Sequence, residues 1–112
     1  MNTTPTFDAD GYPAIDTIMA IETCAYQDAR ACLDLIRAAW HWPEMTTTML
    51  SESERDLIHA DPEEQFVRFA TGGWSGNEEL LMALRRNASV WALTWRLSTR
   101  GGLHIYQYPP AA

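Results

Sequence analysis

Lysine is absent from this chain of 112 residues, and all eight of its basic residues are arginine. Cysteine is scarce as well, with only Cys24 and Cys32, and the first basic residue is Arg30. No apolar run approaches the roughly 20 residues that a membrane-spanning helix needs. The sequence therefore predicts neither a signal peptide nor a membrane span, and it favours two reduced thiols in a cytoplasmic protein.

Positive charge is sparse where negative charge is dense, and the formal net charge is −7. Residues 1–64 have thirteen carboxylates against three arginines, a balance of −10, whereas residues 65–112 have two against five, a balance of +3. Binding to a polyanion relies on cations that displace its counterions. The acidic half therefore argues against direct binding of DNA or RNA.

The composition is that of a globular protein, with 46% hydrophobic and 21% charged residues. A chain of this length suits one α+β domain that covers residues 1–112. Because each tryptophan can bury a large apolar area, we expect the core to be built on the five tryptophans. These are Trp40, Trp42, Trp74, Trp91 and Trp95.

Two helices are predicted in the first part of the chain. Pro13 opens the first, which ends near Thr23 and whose apolar stripe consists of Ile15, Ile18 and Met19. The second runs from Asp28 as N-cap to Trp40, before Pro43. Its buried face is predicted to hold Cys32, Leu35, Ile36 and Ala39.

Residues 44–64 have two interpretations. Ser51 followed by Glu54 has the spacing of a capping box, which predicts a short helix that reaches Ile58. Residues 57–59, followed by Asp61 and Pro62, also fit a strand that enters a turn. The helix is the preferred interpretation, and β-branched and aromatic residues predict a strand over 65–70.

Residues 71–79, Thr-Gly-Gly-Trp-Ser-Gly-Asn-Glu-Glu, are the most informative stretch. Ser75 followed by Glu78 predicts another capping box, with a helix that starts at about Gly76 and stops near Asn87. Its last turn contains two arginines, which suit the negative end of the helix dipole. The stripe predicted to face the core consists of Asn77, Leu80, Leu81 and Leu84.

The alternation of Trp91, Leu93, Trp95 and Leu97 predicts a strand over residues 89–98. Gly101 and Gly102 then predict a hairpin turn into a returning strand over 103–108. Two registers remain open, because a shift of one residue exchanges the two faces of a strand. The face of the first strand that contains Trp91 and Trp95 is called the tryptophan face. In one register it is joined by His104, Tyr106 and Tyr108. In the other register it is joined by Leu103 and Ile105.

The predicted order of elements is α-α-(α or β)-β-α-β-β. This order corresponds to N-terminal helices packed on one face of a small, mainly antiparallel, three-stranded sheet.

Several strings together resemble a family of small uncharacterised proteins encoded by bacteriophages, prophages and bacterial genomes. They are residues 71–80, Asn87, residues 91–95 and residues 98–102, with further similarity at 7–13 and 39–43. The resemblance implies no activity and no functional residues. It implies the setting of a mobile genetic element, in which a small accessory protein acts inside the host cell.

No arrangement of residues predicts catalysis, a metal ion or a cofactor. Glycine is missing two residues after Ser75, where a nucleophile elbow requires it. The three histidines have no ligand-like spacing with the cysteines. The remaining candidate is a binding surface at the glycine-rich turn, which consists of Trp74, Ser75, Asn77 and Arg100. Free N–H groups at a helix start attract anions there, and an exposed tryptophan can anchor an interface.

Three functions follow as hypotheses, and for none does the sequence reveal an oligomeric state. The first is an accessory protein of a phage or mobile element that binds a host or phage protein, for example as an acidic inhibitor of a host defence or nucleic-acid-handling complex. The second is a module or enzyme that binds a small anion or nucleotide at the glycine-rich turn. The third is a minor structural or assembly protein of the virion.

Overall fold

Five α-helices and one antiparallel sheet form the fold, in the computed structural model that describes residue 1 and residues 3–110. The α+β class predicted from the sequence is confirmed. The helices are α1 (Ile15–Thr23), α2 (Ala29–Ala39), α3 (Glu52–Leu57), α4 (Ser75–Arg86) and α5 (Ala88–Thr94). The strands are β1 (Thr46–Thr47), β2 (Gln65–Ala70), β3 (Trp95–Ser98) and β4 (Leu103–Tyr108).

The sheet has four strands in the order β1-β2-β4-β3, so the predicted number of three is wrong. The additional strand, β1, consists of two residues, and Thr46 pairs with Phe69 at the edge of β2. A strand this short has no periodicity to detect. It lies in the segment 44–64, where the sequence left two interpretations open.

Helix α3 is confirmed, and it opens with the predicted capping box. The Ser51 hydroxyl oxygen accepts from the Glu54 backbone N–H at 3.2 Å, and the Glu54 carboxylate accepts from the Ser51 N–H at 2.8 Å. The residue that follows this helix, Ile58, packs with Phe66 and Ile105 on one face of the sheet. The other four helices cover the opposite face, so the sheet lies between two layers.

Helix α2 buries the predicted residues Cys32, Leu35, Ile36 and Ala39. Helix α1 ends at Thr23 as predicted, but only Ile18 of its predicted apolar stripe packs against the core. Ile15 and Met19 are 68% and 53% exposed, whereas Thr17 and Ile21 are buried. The Thr17 hydroxyl oxygen accepts from the Thr6 N–H at 2.8 Å, so the preceding segment turns this side of the helix inward.

Helix α4 confirms the predicted stripe and the stop at Asn87. The predicted capping box at its start is wrong. Trp74 is the N-cap residue and makes no side-chain cap bond, while Ser75 is the first helical residue. The Ser75 hydroxyl instead donates to the Tyr12 hydroxyl at 3.1 Å. A partner distant in sequence has therefore replaced the local one.

The prediction of a strand over residues 89–98 is wrong for its first half. The structure has helix α5 there, and only Trp95–Ser98 form a strand. Asn87 ends α4, and its side-chain oxygen accepts from the Val90 N–H, so a new helix starts after one residue. Val90 and Thr94, four residues apart, are buried. The tryptophans at 91 and 95 therefore stack one helical turn apart rather than alternate along a strand.

The register of the hairpin corresponds to neither simple pairing. Ser98 pairs with His104, and an irregularity between Trp95 and Leu97 shifts the register so that Trp95 pairs with Tyr106. Tyr106 and Tyr108 consequently face the four helices. Each of the two predicted registers therefore holds at one end of the hairpin: Tyr106 pairs with Trp95, whereas Ile105 pairs with Leu97.

The tryptophans contribute less to the core than predicted, although Trp40 belongs to it and Trp91 packs against it. Trp40 is 3% exposed, but Trp42 and Trp95 are each 38% exposed and the other two are half-buried. The core on the helical side is formed by aliphatic residues of the helices against aromatic residues of the sheet, such as Phe69 and Tyr106. Trp42 and Trp95 therefore each leave more than a third of their surface exposed to solvent.

The two serines at helix starts provide a matched test of capping. Ser51→Ala removes a cap bond and is expected to lower the free energy of unfolding by about 1 kcal/mol. Ser75→Ala removes no cap bond, so its effect should be less than half as large. Urea unfolding of both variants measures the difference, and an equal loss for the two would contradict the assignment of the caps.

Candidate functional site

Trp74 lies half-buried inside a stack of rings. Its ring centroid lies 4.9 Å from that of Tyr12 and 4.5 Å from that of His41, with interplanar angles of 26° and 30°. The ring also covers Gly76, where an added Cβ would lie 2.1 Å from it. The glycine in this turn is therefore required by the tryptophan that packs on it.

A second tryptophan packs on the same turn. Trp42 has the left-handed backbone conformation with φ 63°, and its ring tilts against His41 at 4.5 Å. A Cβ added to Gly72 would lie 2.8 Å from the Trp42 ring, and Gly72 itself has φ 62°. The glycine-rich turn thus accommodates aromatic rings that come from two distant segments.

Asn77 is fully buried, and its side chain links the glycine-rich turn to the segment at His41. Its side-chain oxygen accepts from the His41 N–H at 2.9 Å, and its amide donates to the carbonyls of His41 and Thr71 at 3.1 and 3.2 Å. These bonds satisfy backbone groups that would otherwise be buried without partners. Asn77 therefore holds the turn together from inside and offers no group to solvent.

The structure brings together only three of the four residues predicted to bind. Trp74, Ser75 and Asn77 belong to one turn, whereas Arg100 lies exposed in the hairpin between β3 and β4. The hairpin backbone does approach the turn, because the Thr71 N–H donates to the Gly102 carbonyl at 3.0 Å. Among the described residues, no hydrogen bond or ion pair joins the Arg100 side chain to the other three.

A cleft of about 410 Å³ lies beside this turn, between α4 on one side and α5 with the hairpin on the other. We call it the aromatic cleft. Its volume lies within the range of small-ligand sites. The residues that line it include Glu78, Arg85, Trp91, Trp95, Ser98, His104 and Tyr106.

One wall of the aromatic cleft consists of the two tryptophans at the end of α5. The rings of Trp91 and Trp95 are stacked with their centroids 5.1 Å apart and an interplanar angle of 22°. The Arg85 guanidinium lies 5.6 Å from the Trp91 ring centroid, in the range of a cation–π contact. The wall therefore presents flat apolar surface with a cation at one end.

A chain of hydrogen bonds forms the other end of the cleft. The Trp95 indole N–H donates to the Ser98 hydroxyl oxygen at 2.8 Å, and the same oxygen lies 2.8 Å from His104 Nδ1. Burial lowers the pKa of His104 from its usual 6.5, while the Glu78 carboxylate acts in the opposite direction. His104 is therefore neutral at pH 7 and gains its proton only as the pH falls below 6.5.

Opposite charges border the cleft along α4. Glu78 and Arg85 are seven residues apart, which corresponds to a separation of about 10 Å along the helix axis. Leu81 and Met82 lie between them on the cleft side of the helix. The site is therefore bipolar, with an acidic end at the hairpin, a basic end at the tryptophans and an apolar floor.

Comparison of the chain with protein-family models, with characterised proteins and with solved structures finds no match. The resemblance to phage-encoded proteins therefore remains a prediction. Within residue 1 and residues 3–110, no helix combines the length and the apolar composition that crossing a membrane requires. In the same part of the chain, no three His, Cys, Asp or Glu side chains converge in a way that could hold a metal ion.

The aromatic cleft was missed by the sequence reasoning, although some of its signals were present. Trp91 and Trp95 have the i, i+4 spacing of one helical face, but the same residues also fit the alternation of a strand. His104 lies on the face of the tryptophans in only one of the two registers that the sequence allows. The spacing of Glu78 from Ser75 predicts a capping box, and this local pattern gives no indication that Glu78 borders a cleft.

Gly76 and Gly101 allow a matched test of the aromatic packing. Gly76→Ala places a methyl group where the Trp74 ring lies, and we expect a loss of about 1–3 kcal/mol in stability from overpacking. Gly101 has no neighbouring atom within 4 Å of an added Cβ, so Gly101→Ala should change stability little. Thermal unfolding measures both, and a neutral Gly76→Ala variant would contradict the position of Trp74.

Proposed function

We propose that the protein binds a small ligand in the aromatic cleft, and that the ligand is planar and carries a cationic group. The observation that carries this proposal is the bipolar cleft itself, where stacked tryptophans meet a carboxylate and a neutral histidine. Apolar walls with a few convergent polar groups are typical of small-molecule sites. In this proposal the glycine-rich turn is the support of the site, because its residues are occupied by internal contacts.

The chemistry of the lining residues favours this ligand class. An aromatic ring can lie against the exposed surface of Trp95, which is 38% exposed. An ammonium group can pair with Glu78, which is exposed at the edge of the cleft. Arg85, about 10 Å away along α4, can pair with a carboxylate of a longer ligand. Ser98 and His104 add hydrogen-bonding groups at the acidic end.

A set of three closely related compounds tests the proposal. Tyramine, tyrosine and 4-hydroxyphenylacetate all contain a 4-hydroxyphenyl ring. Tyramine carries an ammonium group, 4-hydroxyphenylacetate carries a carboxylate, and tyrosine carries both. We expect saturable binding of the first two by calorimetry and weaker binding of the third. Glu78→Gln should weaken tyramine binding about twofold to fivefold, because an exposed charge pair contributes up to about 1 kcal/mol.

The neighbouring carboxylate is the control. Glu79→Gln removes the same charge from a residue that borders a different cleft, so tyramine binding should not change. Binding should also weaken as the pH falls below 6.5, since protonated His104 competes for Glu78. The proposal fails if none of the three compounds binds saturably, or if Glu79→Gln has the same effect as Glu78→Gln.

A second candidate function is the docking of a partner protein, as expected for an accessory protein of a mobile element. The exposed apolar side chains Ile15 and Met82, 68% and 56% exposed, border one cleft between α1 and α4. Met82 also borders the aromatic cleft. Contiguous exposed apolar surface of this kind often marks an interaction site.

Capture from a bacterial lysate distinguishes docking from ligand binding. A docked partner should be retained in near-stoichiometric amount by the native protein and lost with Ile15→Asp, while this variant still binds tyramine normally, because Ile15 borders only the cleft between α1 and α4. Equal recovery of every protein by the native form and by Ile15→Asp would rule out docking at this surface.

A further inference from the structure

The three arginines of the acidic half of the chain lie around one cleft. Arg30 and Arg37 belong to α2, and Arg55 belongs to α3. Residues 1–64 contain no other arginine and no lysine. The cleft has a volume of about 400 Å³, and we call it the arginine cleft. Its other lining residues include Asp34, Met49, Glu64, Phe66 and Tyr108.

These guanidinium groups have no carboxylate partner within 4 Å among the described residues. Three other arginines are paired with glutamates: Arg68 with Glu54, Arg86 with Glu22 and Arg96 with Glu64. The arginines of the cleft bond to uncharged oxygens instead. Arg30 donates to the Pro109 carbonyl and the Gln65 side chain, Arg37 to the Tyr108 hydroxyl at 3.4 Å, and Arg55 to the Asp61 carbonyl.

Aromatic rings hold two of the guanidinium groups in place. That of Arg30 lies 4.9 Å from the Tyr108 ring centroid, and that of Arg55 lies 5.6 Å from the Phe66 ring centroid. A guanidinium has five N–H donors, and the hydrogen bonds described above use at most two in each group. Donors therefore remain for a further acceptor.

Both carboxylates that border the cleft have hydrogen-bond partners of their own. Asp34 accepts from the Tyr108 hydroxyl at 2.8 Å, and burial raises the pKa of Tyr108 to about 12, so this hydroxyl keeps its proton. Glu64 accepts from the Asp61 N–H and from Gln107, both at 2.7 Å, and pairs with Arg96. Counted formally, three arginines against two carboxylates give the lining one net positive charge, which favours an anion.

We propose that the arginine cleft binds the phosphate monoester group of a small molecule. Planar guanidinium groups match the geometry of phosphate oxygens and bind them in bidentate fashion. Phe66 and the 80% exposed Met49 supply apolar surface for the rest of the molecule. A nucleic acid would extend beyond the cleft over an acidic half with a balance of −10, and would be repelled there.

Phenyl phosphate is the probe, titrated into the full chain by calorimetry and by phosphorus NMR at constant ionic strength. Saturable binding with one site is expected. The double variant Arg37→Gln with Arg55→Gln should weaken it at least tenfold, whereas Arg100→Gln, exposed in the β3–β4 hairpin, should leave it unchanged within twofold. If the double variant does not fold, Arg37→Gln alone, with its single long bond to Tyr108, should weaken binding about threefold.

Four results would overturn the proposal. They are the absence of saturable binding, an equal loss with Arg100→Gln, tighter binding of phenylacetate than of phenyl phosphate, and binding of a single-stranded oligonucleotide that the double variant loses. Glu78→Gln lies in the aromatic cleft and should leave phenyl phosphate binding unchanged. A failure of the phosphate proposal for the arginine cleft can therefore be distinguished from a failure of the ligand proposal for the aromatic cleft.

Discussion

The buried side chain of Asn87 is the contact on which the helical layer depends. Its amide donates to the carbonyls of Ile21 and Cys24, both at 2.9 Å, and its oxygen accepts from the Val90 N–H. One residue therefore ends α4, starts α5 and ties both to the end of α1. A buried amide with all these partners is specific, because any other arrangement would leave a polar group unsatisfied. The break after Arg86 in turn places α5 where its tryptophans form the wall of the aromatic cleft.

Asn77, near the N-terminal end of α4, likewise joins segments that are distant in sequence. By bonding the backbone of His41 and Thr71, it attaches the glycine-rich turn to the end of α2. The rings of Tyr12 and Trp74 then pack outside this link. Most of the side chains in the turn are thus committed to structure. The aromatic cleft lies beside the turn, between α4 from Glu78 to Arg85 and the facing hairpin.

Charged side chains are distributed unevenly over the molecule, and the net charge does not show this distribution. The chain is acidic overall, yet three arginines without carboxylate partners border the cleft between α2 and α3. The aromatic cleft, by contrast, combines one carboxylate with one guanidinium and a neutral histidine. Two clefts of different chemistry therefore lie in different parts of a small domain. The proposed ligand of the first is a compact anion, and that of the second is a flat molecule with a basic group.

The sequence by itself determined the elements whose signals are local. The capping box at Ser51, the buried face of α2, the stop at Asn87 and the glycine hairpin all depend on contacts within a few residues. Tertiary structure decided the rest. Residues 88–94 fit both a helix and a strand, and the contacts of Asn87 with α1 selected the helix. Ser75 lost its predicted cap because its partner is Tyr12, 63 residues away. Neither cleft could be predicted, because each unites residues from distant segments, and local periodicity carries no information about which segments meet.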